Sequence, residues 1–144
     1  MADLTTFESR KGDLTCTQSE LFDFVTDIRN FKQFIPAGAS INDLHIDSES
    51  CSFSISSMGN VTLNLFEKKP FKKVVYNGTL FQSNSFSLVI DIRENMAGKA
   101  EVRLLLASQL NPLMKMVAAK PIENFLGKMV EEMERFRGWN SAKL

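Results

Sequence analysis

Two cysteines in 144 residues are few, and Cys16 and Cys51 stand apart with no CxxC spacing, which argues against a disulfide framework and against a zinc ligand set. There is one histidine, one tryptophan and one tyrosine. No glycine-rich phosphate loop, HExxH or GxSxG occurs, so neither a cofactor nor a metal is expected. No run of apolar residues approaches the roughly 18 to 20 that cross a bilayer, so no integral membrane association is expected. The opening "MADLTTFESRKGD" has no apolar stretch of secretory type, and a cytoplasmic location is expected. The closing "AKL" resembles a peroxisomal SKL address only loosely.

An excess of one charge is also missing. Seventeen basic residues balance seventeen acidic ones, so the chain as a whole lacks the electrostatic footprint of a nucleic-acid or anionic-membrane binder. The densest basic stretch is "EKKPFKK", Glu67 to Lys73. A proline-bearing lysine cluster between strands reads as a solvated turn, and nucleic acid is set aside as a main partner.

What is present is ordinary globular composition, 44% apolar and 24% charged, in a chain of single-domain size. The core is expected over about residues 5–136, with a flexible tail over about 137–144. Thr6 to Gly12 reads as a strand. Thr17 with Glu20 fits a capping box, and Leu21, Phe22, Val25 and Ile28 recur behind it at helical spacing. Phe31, Phe34 and Ile35 share the face of a second short helix that Pro36 and Gly38 stop.

From Ser40 to Leu110 the period becomes two. Phe53 and Ile55 precede Gly59-Asn60, and Val61, Leu63 and Leu65 follow, which predicts a tight hairpin at that dipeptide. Phe86, Leu88, Ile90 and Ile92 alternate on the next-to-last strand, and Ala100, Val102, Leu104 and Leu106 on the last, with Asn95 to Gly98 as the turn. "KKVVYNGTLF" is a strand whose buried face the pattern leaves open. Short loops predict an antiparallel meander with one packed face.

"NPLMKMVAAKPIENFLGKMVEEMERF" closes the domain as a long helix, with Asn111 as N-cap and Pro112 in the first turn. Ile122, Phe125, Leu126, Met129, Val130, Met133 and Phe136 fall within an arc of about 140°. Extrapolated backwards, Leu113, Met114 and Val117 centre about 130° away. An interior proline removes a hydrogen bond and costs about 3 kcal/mol or more. A kink at Pro121 would let both sets face the sheet, free the carbonyl of Val117 and open a cavity beneath the helix.

The order strand, two short helices, six-strand meander and long terminal helix resembles the START-like helix-grip superfamily, also called SRPBCC or birch-pollen-allergen-like. "ELFDFVTDIRNFKQFIP" resembles its first-helix signature and "NPLMKMVAAKPIENFLGKMVEEMERF" its terminal helix, proline included. The resemblance implies an α+β fold, a seven-stranded antiparallel sheet wrapped around a long kinked C-terminal helix, with an apolar pocket between them. Members bind lipids, sterols, hormones or polyketides. Some are cyclases or hydrolases, and others are subunits or co-chaperone activators.

For this chain the expected function is binding or carriage of a small hydrophobic molecule, a lipid or apolar metabolite. Phe31 and Phe34 from the short helices and Phe53, Phe86, Leu88 and Ile90 from the sheet are wall candidates. Met116, Val117, Pro121, Phe125 and Met129 are their counterparts on the helix. Asn64, Tyr76 and Asn77 supply polar contacts if their strands turn them inward. The inward phases of the last two strands carry no titratable group, which disfavours catalysis. Asp91, Arg93, Glu101 and Arg103 fall on the other face. His45, flanked two residues away by Asp43 and Asp47, is a surface residue or a weak cation site. Two alternatives stand beside carriage: a cyclase or hydrolase of the same superfamily, and a protein-interaction module without a ligand. The oligomeric state is open, a homodimer included.

Overall fold

Residues 3–34, 41–47, 50–55, 59–80, 84–137 and 139 are described by the structure, a computed structural model. The first strand, β1 (Asp3–Glu8), is followed by a short β2 (Gly12–Asp13), and both pair with the last strand, β8 (Ala100–Leu110). They act as one edge strand interrupted at residues 9–11. Ser9 fills the interruption: the Leu104 N–H donates to Ser9 Oγ at 2.9 Å, so a hydroxyl stands where a strand carbonyl would.

Helix α1 (Gln18–Val25) starts at the expected capping box: Thr17 Oγ1 accepts from the Glu20 N–H, and Glu20 Oε1 accepts from the Thr17 N–H. Its buried residues are Leu21, Phe24 and Val25. Phe22, expected inside, is only half-buried. The second short helix is a 3-10 segment, Ile28–Phe34. Its expected stop, with Ile35, Pro36 and Gly38, lies outside the described residues.

The meander comprises β3 (Ile41–Ile46), β4 (Ser50–Ile55), β5 (Gly59–Lys69), β6 (Lys73–Leu80), β7 (Asn84–Glu94) and β8. The sheet runs β1-β8-β7-β6-β5-β4-β3, antiparallel throughout. Ile55 pairs with Gly59 and Ser54 with Asn60, so the expected turn dipeptide belongs to β5, and residues 56–58 connect the hairpin. The Asn95–Gly98 turn is as expected, with Asn95 Oδ1 accepting from the Ala97 and Lys99 N–H groups at 2.9 and 3.0 Å.

β6 turns Val74 and Tyr76 inward. Gly78 shares their phase, and a Cβ there would sit 1.7 Å from the Thr62 carbonyl oxygen, so no other residue fits. At the β5–β6 turn the Lys72 N–H donates to the Lys69 carbonyl at 3.0 Å across Pro70 and Phe71. Phe71 has φ 64°. That is the position of a type II turn at which glycine or asparagine is usual. A phenylalanine held there costs about 1–3 kcal/mol.

α2 (Pro112–Arg135) begins at Asn111, whose Oδ1 accepts from the Met114 N–H at 2.8 Å, and runs on through Pro121. It packs on β1, β2, β8 and the 3-10 segment. Gly12 permits the approach, since a Cβ there would lie 2.6 Å from Val130 Cγ1. Glu134 ties the C-terminal half to the edge strand, accepting from Arg10 at 2.5 and 3.1 Å and from the Asp13 N–H at 3.3 Å. The guanidinium holds the Glu134 carboxyl below its ordinary value.

The core does not stop at residue 136. Trp139 is 3% exposed and donates from Nε1 to Thr15 Oγ1 at 3.2 Å. Its ring meets Phe24, Phe34 and Phe136 at centroid distances of 5.2, 5.5 and 4.8 Å. The expected tail boundary at 137 is therefore too early, and residues 140–144 lie outside the described set.

Candidate functional site

On β7 and β8 the parity of the strands places Phe86, Leu88, Ile90, Ile92, Ala100, Val102, Leu104 and Leu106 on the concave face, each 6% exposed or less. The polar residue among them is Ser108, whose Oγ donates to the Ser85 carbonyl at 2.7 Å. Asp91, Arg93, Glu101 and Arg103 take the opposite face as expected. There they form ion pairs: Arg93 with Asp91 at 3.2 Å, Arg103 with Glu8 at 3.2 Å and Lys11 with Glu101 at 3.5 Å.

Wall candidates from two elements meet. Phe53 of β4 is 3% exposed and lies nearly parallel to Phe125 of α2, ring centroids 6.2 Å apart and planes 20° from parallel. Met129 is fully buried one helical turn further on. Phe125 itself is half-buried, as are Met114 and Pro121. On a helix these three positions fall within about 40° of one another, so they make one apolar edge beside the buried stripe.

Other candidates are placed elsewhere. Met116 and Val117 are 79% and 57% exposed, on the side of α2 away from the core, which corrects their reading as walls. The helix does not rewind enough at Pro121 to bury both apolar sets. The downstream set occupies the sheet, while of the upstream set Leu113 and Val117 remain in solvent and Met114 is half-buried at the edge. Phe34 lies in the aromatic cluster with Phe24, Phe136 and Trp139, a packed plug and not an open wall. The side chain of Phe31 lies outside the described residues.

The polar candidates separate by strand parity. Asn64 pairs with Asn77 across β5 and β6, opposite in phase to Leu63 and Tyr76, so both amides project from the convex face and not toward α2. Tyr76 points inward, 1% exposed, and its hydroxyl donates to the carbonyl of Val25, tying β6 to the end of α1. Burial, reinforced by the Asp27 charge, raises its pKa. It remains a neutral donor at physiological pH.

Recesses lined by described residues open on the outside. One of about 630 Å³ lies on the convex face among Leu4, Asn77, Ser87, Ala107 and Gln109. Another of about 320 Å³ holds His45, Ser52, Ser54, Asn60 and Thr62. Asp47 does not join His45: its carboxylate accepts from the Ser50 N–H at 2.8 Å and from Ser50 Oγ, and a register shift between Asn42 and His45 breaks the assumed alternation. The side chain of Asp43 lies outside the described residues. Among the described residues no group of three or more histidines, cysteines or carboxylates could hold a metal. Burial pushes the Cys16 thiol up to about 12, with Glu20 adding to it, and the Cys51 thiol up to about 11. Neither is a thiolate near neutral pH.

Two features were not found from the sequence. Trp139 falls within the expected tail of about 137–144, beyond the helical stripe that ends at Phe136. Phe66 and Phe71 are 66% and 46% exposed beside the lysines of the β5–β6 turn, and the solvated-turn reading of that stretch gives their rings no role.

The architecture is an α+β helix-grip fold: an antiparallel sheet curled around a long C-terminal helix. No family model matches the chain, and no curated protein matches it. Solved structures do. XoxI of Bacillus cereus is similar at TM-score 0.66 and 10% identity, covering 94% of each chain. An uncharacterized protein of Bacillus thuringiensis reaches 0.64 at 8% identity, over 92% of this chain and 96% of its own. A Rhodobacter sphaeroides protein reaches 0.64 at 11% identity, over 90% of each. At these identities the likeness is one of fold. No helix among the described residues is long and apolar enough to cross a membrane.

Proposed function

We propose that the chain binds a small apolar molecule, a lipid or apolar metabolite, at the seam between the concave sheet and the first half of α2. The observation that carries this reading is the half-buried apolar edge Met114, Pro121 and Phe125 beside Phe53. The described inner-face residues of β7 and β8 are sealed, each 6% exposed or less. An apolar guest enters by parting the Phe53 and Phe125 rings, which exchange contact with each other for contact with it. Pro121 supports this because it deprives the Val117 carbonyl of its helical donor just where the edge begins, weakening the helix at the seam. Among the described residues the buried inner-phase positions of β7 and β8 carry no carboxylate, histidine or lysine, and the inward Tyr76 hydroxyl is committed to the Val25 carbonyl, which favours carriage over a cyclase or hydrolase reaction.

Native mass spectrometry of the purified protein after exposure to a cell lipid extract tests it. The expected result is a retained apolar adduct that is lost in Phe125→Trp, which fills the seam. Absence of any retained mass, together with an unshifted melting temperature, would overturn the proposal.

A second reading draws on a separate observation. Leu113, Met116 and Val117 are 69%, 79% and 57% exposed at i, i+3 and i+4 on one face of α2, the spacing of a helix-borne contact surface. If this face joins two copies, sedimentation will show a dimer that Met116→Glu dissociates. A monomer at high concentration would remove that reading.

A further inference from the structure

The densest basic stretch of the chain, set aside at the sequence level as a solvated turn, has an arrangement that composition does not convey. Lys68, Lys69, Pro70, Phe71 and Lys72 are all exposed at the end of the β5–β6 hairpin. Two phenylalanines stand in the open, one before the lysines and one among them: Phe66 is 66% exposed and Phe71 46%. The bulge between Leu65 and Glu67 frees Phe66 from strand alternation. Phe71 is presented by backbone in the left-handed region, at φ 64°. Its ring is braced edge-on by Phe22, centroids 5.7 Å apart, and its carbonyl accepts from Gln18 Nε2 at 3.1 Å.

Charge at the tip is of one sign. Glu67 is paired with Lys73 at 3.6 Å, and among the described residues Lys68, Lys69 and Lys72 make no ion pair. On the neighbouring strand Asp91, in register with Lys73, is held by Arg93.

We propose that this hairpin tip is a docking element for an anionic lipid bilayer, with Phe66 and Phe71 entering the interface and Lys68, Lys69 and Lys72 meeting acidic headgroups. Charge complementarity selects an anionic surface, and two apolar rings at the same tip select one with an apolar interior. The tip is convex. A protein or nucleic-acid partner would have to supply a cleft for the rings, whereas a bilayer yields to them. The docking is peripheral and does not depend on the carriage reading.

Cosedimentation with phosphatidylcholine vesicles, with and without phosphatidylserine, tests it at physiological ionic strength. Binding is expected only to the serine-containing vesicles, weakening roughly fivefold for each of Lys68→Gln, Lys69→Gln and Lys72→Gln. Phe66→Ser and Phe71→Gly should each weaken it about tenfold or more. Glycine suits the turn, so Phe71→Gly is expected to stay folded. Phe66→Trp keeps the apolar contact and should shift its emission to the blue on binding, a readout that stands even if Phe71→Gly fails to fold. Equal affinity for neutral vesicles, no vesicle binding at all, or binding indifferent to both phenylalanines would overturn the proposal. Retention on RNA or an acidic protein without vesicle binding would overturn it too.

Discussion

Upstream of Pro121, α2 leaves Leu113, Met116 and Val117 at 57–79% exposure, whereas downstream Ile122, Leu126, Met129, Val130 and Met133 are at 1% or less. Both stretches carry apolar residues at helical spacing, and both belong to one continuous helix. What separates them is phase. The two sets lie about 150° apart on an ideal helix, and a helix on one sheet can bury only one arc. The downstream set is larger and faces β1, β2 and β8 through the gap that Gly12 leaves. It determines the rotation of the whole helix, and the upstream residues go where that rotation carries them. An apolar stripe therefore marks a buried face only once the phase of the dominant stripe is known.

The sharpest test of this contrast is Leu126→Ala. Leu126 is fully buried, so a loss of about 2–5 kcal/mol in unfolding free energy is expected in urea titration. A loss under about 1 kcal/mol would mean that the downstream half is not the anchor. Pro121→Ala, at the junction, should act in the other direction. It restores a donor to the Val117 carbonyl, and stability should rise by about 1–3 kcal/mol, read as a higher melting temperature. A fall would show that the half-buried pyrrolidine ring contributes more by packing than the missing hydrogen bond costs. The smallest effect belongs upstream: Val117→Ser and Met116→Ala should each move stability by no more than about 0.5 kcal/mol. A larger loss at either position would break the contrast between the halves.

Much of the fold was legible because it rests on local rules. The capping box at Thr17 and Glu20, the N-cap at Asn111, the Asn95–Gly98 turn and the alternation of β7 and β8 are short-range patterns, and each formed where it was expected. Positions decided by register were less accessible. Gly59-Asn60 resembles a turn dipeptide, yet its pairing with Ile55 and Ser54 draws it into β5. Asn77 was legible as a strand residue but not as an outward one, since the buried face of β6 was fixed by Tyr76 reaching the carbonyl of Val25, whereas Asn64 is outward by the alternation of Val61, Leu63 and Leu65 itself. Of the candidate site, Phe53, Phe125 and Met129 came together, while Met116 and Val117 went to solvent.

By itself the sequence determined the order of elements, their caps and the apolar phases of the last two strands and of the terminal helix, because these depend on residues within a few positions of one another. Only the tertiary structure decided which of the two stripes on α2 meets the sheet, that Trp139 closes the core against Phe24, Phe34 and Phe136, and that Phe71 at the β5–β6 tip is braced by Phe22 of α1. Each of those outcomes depends on contacts between segments far apart in the chain. Competition for the same buried surface settles them, and no local pattern records it.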